Sequence, residues 1–182
     1  MTIARKQLDL DQPIVGKALT LEPVKQAHIS AFAPFFKDED ALYYYLPSTL
    51  RQYDAHQLET LFKEWDNGET DVLLTIRRND AVIGLMSVDN IDLANRNAEV
   101  GIALTDREMR GRGLAKAALQ LLMTHLLDQK RLHRVYARVA VGNRHSRQLF
   151  ESLGFAFEGT MRDALYRADG YLDMDLLGKV GE

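Results

Sequence analysis

The chain has 182 residues, 46% of them apolar and 27% charged, and a formal net charge of −3. That suits one soluble domain, residues 1–182, with a substantial core, and argues against a general nucleic-acid binder, which would be clearly basic. The absence of cysteine excludes disulfides, zinc–thiolate sites and a cysteine nucleophile.

Residues 1–17 read as a loose lead-in. Met1–Gln7 leads into no apolar stretch, so no secretory signal is expected. No apolar run approaches the ~20 residues that span a bilayer. The expectation is a cytoplasmic protein with neither nucleic acid nor membrane as partner. Ala18–Val24 reads as a first strand ending at Pro23. Lys25–Phe36 reads as a helix with Ile29, Phe32 and Phe36 at helical spacing, and Pro34 is expected to end or kink it. Ala55–Trp65 reads as a second helix, with Asp54 as its N-cap.

Three strands follow. Val72–Ile76 and Val82–Val88 flank the turn Arg77–Asp80. In the third, Ala98, Val100, Ile102 and Leu104 alternate with Glu99, Gly101 and Ala103, which places the latter set on one face. Gly101 in mid-strand predicts a bulge or a close approach by a neighbour. Ala115, Ala118, Leu119, Leu122 and Leu126 then mark a long amphipathic helix. Another strand follows, with Val135, Ala137, Val139 and Val141 in alternation. Asn143 opens a short helix bearing Leu149, Phe150 and Leu153, with Gly154 as its C′ residue. Phe155–Ala164 and Tyr171–Leu177 close the chain as a hairpin. This order predicts a mixed α/β (α+β) sheet of seven strands with about four helices, not a βαβ repeat.

The chemistry concentrates at Arg110-Gly111-Arg112-Gly113-Leu114-Ala115, just before the long helix. Unsatisfied amides and the helix dipole both favour an anion there, and two arginines add charge. A Walker A loop is absent, and Lys116 stands where the third glycine of a dinucleotide fingerprint would be. On these residues alone, a flexible basic turn remains open. The five histidines show no metal-ligand spacing, so no metal is expected. Tyr43-Tyr44-Tyr45 is read either as lining an acceptor pocket or as a loop cluster. Residues 38–71 carry nine Asp/Glu against Arg51 and Lys63, which either steers a cationic acceptor or forms solvated faces.

Arg110-x-x-Gly113-x-Ala115, together with Asn143-x-x-Ser146-x-x-Leu149-Phe150-x-x-x-Gly154-Phe155, resembles the paired motifs of the GNAT superfamily of N-acetyltransferases. The closing hairpin is similar to the branch holding ribosomal-protein and spermidine acetyltransferases. The resemblance covers roughly residues 70–177. It implies a mostly antiparallel sheet splayed between the fourth and fifth strands, and acetyl-CoA as co-substrate. It gives Arg110, Gly111, Arg112, Gly113, Leu114 and Ala115 the coenzyme A pyrophosphate. Ile102, Ala103 and Leu104 would pair with the pantetheine arm, and Asn143, Ser146 and Phe150 would lie beside it. The acceptor would be a small-molecule amine or a protein N-terminus, with the N-terminus favoured and a polyamine as the alternative.

An alkylammonium must lose its proton before it attacks a thioester, and Glu99 is the candidate base. Many family members use a tyrosine at the position of Phe150 to protonate the departing thiolate. Phenylalanine cannot, so Ser146, Tyr136, another tyrosine or water serves, or the thiolate leaves unassisted. This departure keeps open a further alternative, a coenzyme A-binding module with impaired catalysis. Monomer and homodimer are both compatible with the sequence.

Overall fold

A computed structural model describes residues 3–45, 53–129 and 131–181. The chain builds one eight-stranded sheet in the order β1-β2-β3-β4-β5-β6-β8-β7. The strands are β1 (Ile14–Val15), β2 (Thr20–Pro23), β3 (Val72–Arg78), β4 (Ala81–Asp92), β5 (Asn97–Leu104), β6 (Arg134–Ala140), β7 (Ala156–Arg167) and β8 (Gly170–Val180). All neighbours are antiparallel except β5 and β6. The helices are α1 (Ile3–Gln7), α2 (Gln26–Phe36), α3 (Glu39–Leu42), α4 (Ala55–Trp65), α5 (Leu114–Met123) and α6 (Arg144–Glu151). The mixed, mostly antiparallel class is as expected. The eighth strand and the two extra helices are short pieces, of two, five and four residues, with too little periodicity to read from sequence.

Each face of the sheet has its own core. On one, α5 and the N-terminal segment cover Leu74, Ile76, Met86, Val88, Val100 and Val135. On the other, α2 and α4 cover Leu73, Leu85 and Ala103, with Phe32 and Phe62 stacked at a centroid distance of 5.4 Å. β3 is buried along Val72–Ile76 because both faces are covered.

One local expectation is corrected and two are narrowed. The lead-in is part of the core: Ala4, Leu8 and Leu10 are at most 1% exposed, and Leu8 O lies 2.8 Å from His125 Nε2. Pro34 sits inside α2 without ending it. Its missing N–H faces the carbonyl of Ser30, and both residues are exposed, so water meets that carbonyl. No bulge occurs at Gly101, whose pairing with Ser87 is regular; the irregularity lies between Asp89 and Asp92, where Asn90 takes a φ of 50°. Gly101 instead serves a close approach, since a Cβ there would stand 2.6 Å from Ser87 Oγ.

Caps follow the sequence. Asp54 accepts from Gln57 N at 2.8 Å, and Asn143 Oδ1 accepts from Ser146 N at 3.2 Å. Gly154 has a φ of 84° but stands two residues past the cap Ser152 and three past Glu151, the last helical residue, at C″ and not at the expected C′. The long helix is α-helical to Met123 and then widens into a π-turn over Thr124–Asp128, with Gln129 N donating to Thr124 O at 3.2 Å.

Candidate active site

β5 and β6 pair only at Asn97–Glu99 with Arg134–Tyr136. Beyond that the two strands part, so the sheet splays between them. β5 stays paired with β4 through Leu104, and β6 with β8 through Ala140, so both rims of the gap are held in place. A cavity of about 600 Å³ opens here and runs along the face of α2 and α4.

One half of the cavity holds candidate cofactor residues. Ile102 and Ala103 on one rim face Val139 and Ala140 on the other, with Asn143, Ser146 and Phe150 at the start of α6 and along it. Asn143 spends its side-chain oxygen on capping α6. Among the described residues Ser146 Oγ makes no hydrogen bond. Phe150 is 3% exposed and packs edge-on against Phe155 at 5.0 Å.

Leu104 and Arg110–Ala115 do not line this cavity; they form the turn from β5 into α5. Arg110 folds back onto the Leu104 carbonyl, donating from Nε and Nη2 at 3.2 and 3.0 Å. Gly111 and Gly113 have φ of 71° and 75°, and Gly113 is the α5 N-cap. Only glycine adopts this conformation without strain. The first amides of α5 have no helical carbonyl partner. The turn is exposed, and apart from chain neighbours no described atom lies within 4 Å of where either Cβ would stand, which leaves space for a large anion.

The other half is acidic and aromatic. Phe35, Phe36, Trp65 and Tyr45 wall it, and Glu64, Asp71, Asp89 and Glu99 contribute carboxylates. Tyr44 also lines the cavity, with its hydroxyl near Gly142 in the β6–α6 turn. Tyr43 instead lies under the Arg167 guanidinium at 4.7 Å. The adjacent segment from Leu46 to Gln52, with Arg51, lies outside the described residues.

Glu99 is 8% exposed and fully engaged. Arg138 Nε donates to its two oxygens at 2.8 and 3.0 Å, and Asn90 Nδ2 donates to Oε2 at 3.0 Å. Bonding to Glu99, ahead of a desolvation cost, raises the Arg138 pKa and keeps the guanidinium charged. Directly opposite Glu99 in the ladder is Asp89, whose Oδ2 accepts from Ser87 Oγ at 2.5 Å. Burial raises the Asp89 pKa to about 6. The Glu99 and Asp71 charges push the same way, against the Ser87 bond and the Arg138 charge. Tyr136, weighed as an acid, is beside Glu99 in register but does not line the cavity.

Sequence reasoning missed Asp89. The strand was expected to end at Val88, yet β4 runs to Asp92. Extending the alternation Leu85, Ser87, Asp89 would have placed it on the face of Gly101 and Glu99. No metal-ligating group of side chains occurs among the described residues.

A sheet parted midway, with an anion-ready turn beyond one end of the gap and a carboxylate-lined cavity at the other, has the architecture of acyltransferases that lay their donor into the sheet. Residues 18–156 match the family model described as Acetyltransferase (GNAT) domain, and the chain belongs to that family. It is 32% identical over 108 residues to the ribosomal-protein-serine acetyltransferase of Escherichia coli K12; the match takes in 59% of this chain and 60% of that relative. It is 24% identical over 162 residues to the spermidine N(1)-acetyltransferase of Vibrio cholerae, covering 88% of this chain and 91% of the other. Among solved structures, RimL, a ribosomal L7/L12 alpha-N-protein acetyltransferase in complex with coenzyme A, superposes with a TM-score of 0.81 at 22% identity, over 93% of this chain and 98% of that one.

Proposed function

We propose that the protein transfers the acetyl group of acetyl-CoA to a primary amine by direct attack on the thioester. The observation that carries this reading is the single cavity joining the strand gap to an acidic pocket. In the gap, the backbone of Ile102–Leu104 pairs with the pantetheine arm as an added strand. The amides of Gly111–Ala115, with Arg112, take the pyrophosphate, and Arg110 joins them by leaving the Leu104 carbonyl. Charge-assisted contacts of this kind are worth ~1.5–3 kcal/mol each. Asn143, Ser146 and Phe150 flank the thioester end. Ser146 is the candidate acid for the leaving thiolate, and a carboxylate of the β4–β5 pair is the base, Glu99 being the candidate from sequence. The cavity argues against an impaired binding module, because ionisable groups are kept next to the gap at a desolvation cost.

The first reading of the acceptor is a protein N-terminal α-amine, after the ribosomal-protein relatives. A second, a polyamine, is favoured by the four carboxylates, which among the described cavity residues face one cation, Arg138. Release of free coenzyme A thiol with a panel of N-terminal peptides and polyamines tests both. Turnover with peptides alone supports the first reading and turnover with polyamines alone the second. Turnover with no amine overturns the transferase reading.

A further inference from the structure

We propose that Asp89, rather than Glu99, is the catalytic base that takes the proton from the acceptor ammonium; this rests on the transferase reading above. Glu99 is the more conspicuous carboxylate in sequence, but its oxygens are already bonded to Arg138 and Asn90. With both oxygens taken, an ammonium would have to displace the guanidinium or the amide to reach Glu99. Asp89 accepts one hydrogen bond among the described residues, from Ser87 to Oδ2. That leaves Oδ1 for an ammonium in the cavity that both residues line.

The surroundings fix this division of roles. Asp89 faces Glu99 on β5, Asp71 just before β3, and Arg138 on β6. Tyr136 on β6 and, around the same cavity, Glu64 on α4 with Tyr44 and Tyr45 are the other described ionisable groups. Arg138 Nε bonds Glu99, so the pair presents one ion-paired carboxylate and one that, among the described residues, is hydrogen-bonded by Ser87 alone. Two adjacent carboxylates in different environments separate into different roles in this way. Gly101 has a part in it: the absent Cβ leaves the space in which Ser87 Oγ stands. The hydroxyl thereby holds Asp89 toward the cavity.

The chemistry balances without a co-reactant. Asp89 takes one proton from R–NH3⁺, and the free amine nitrogen bonds to the thioester carbonyl carbon. As the C–S bond breaks, a second N–H proton goes to the departing thiolate. Asp89 then passes its proton to solvent. The products are the amide, the coenzyme thiol and one released proton.

The test is the pH profile of kcat/KM for the amine, for wild type, Asp89→Asn and Glu99→Gln, with acetyl-CoA affinity measured alongside by calorimetry. With an alkyl amine of pKa about 10 as the acceptor, bound as the ammonium and deprotonated by Asp89, the wild-type profile falls below pH about 6 and is flat from 7 to 8.5; an α-amine, of pKa about 8, is not used for this profile because its own titration falls inside the window. Asp89→Asn should lose ~10²–10³-fold at pH 7 and recover tenfold per pH unit towards pH 9, because only free amine then reacts. Acetyl-CoA affinity should be unchanged. Recovery at high pH is not expected of a merely structural defect. Glu99→Gln should move the acid limb down, since a like charge beside Asp89 is gone and Arg138 is left to it, while its rate stays independent of pH from 7 to 8.5 instead of climbing. A plateau retained by Asp89→Asn, or a wild-type rate that climbs tenfold per unit through pH 9, overturns the assignment while leaving the transferase reading intact. A wild type that acetylates no amine overturns both.

Discussion

Replacing Gly113 by alanine separates two costs that the α5 turn combines. The first is conformational. At a φ of 75° a β-carbon costs roughly 1–2 kcal/mol, which in a chain of this size lowers Tm by about 2–8 °C. The second concerns the anion. Apart from its chain neighbours, no described atom lies within 4 Å of the added methyl, so no clash is expected from the described residues. The methyl instead enters the open space offered to the pyrophosphate. Loss of one amide contact worth ~1.5–3 kcal/mol weakens acetyl-CoA by about 10–150-fold. Gly113→Asn calibrates the first cost, since asparagine tolerates this backbone conformation, while still placing a side chain in the same space. Thermal unfolding and calorimetric titration of both variants give the two numbers. The expected result is an asparagine variant of near wild-type Tm that still binds weakly. Wild-type affinity in both variants would refute the phosphate-cradle reasoning.

Other consequences are as direct. Leu8→Ala, at a site 1% exposed, should cost about 2–5 kcal/mol in urea unfolding; a cost below 1 kcal/mol would return the N-terminal segment to a dispensable lead-in. Asp89→Asn should stabilise the fold at pH 8. With a folded pKa of about 6 against 3.8 unfolded, the native state binds the proton more readily, so stability falls as pH rises through that window. The penalty relieved by asparagine is at most about 3 kcal/mol above pH 6 and vanishes below pH 4; a Tm gain that persists at pH 3.5 contradicts this account. Gly101→Ala should push Ser87 off Asp89 and move the acid limb of the rate profile upward, since a hydrogen bond to the charged carboxylate is lost; an unmoved limb would show that Ser87 does not set it.

What could be read from the chain divides along physical lines. Local chemistry was legible: the Asp54 and Asn143 caps, the glycines before α5 and the alternation of β5 each depend on neighbours within a few residues. The buried N-terminal segment was not, because five helical residues carry no measurable period and Ala4, Leu8 and Leu10 acquire their core only when α5 is in place. That α2 continues past Pro34 was not legible for a similar reason; whether its missing bond ends the helix depends on which side of α2 is exposed. Asp89 is the most instructive case. Its place opposite Glu99 is a matter of strand register, and the irregular backbone at Asn90 hides the continuation of β4 from a pattern of twos. The residues suggested for the cofactor divide between the cavity wall and the turn beyond it, a distinction that no linear motif contains.

The π-turn at Thr124–Asp128 is a phase adjuster. One extra residue in a turn advances everything after it by about 100° relative to an uninterrupted α-helix. The ten residues of α5 take their rotation from the glycine turn, and the five of the π-turn take theirs from His125, which reaches the Leu8 carbonyl. A continuous helix would meet one of these demands and miss the other. Deleting a single residue here would therefore swing His125 and Leu126 out of alignment while leaving the donor turn where it is, so the two ends of the helix are free to change independently.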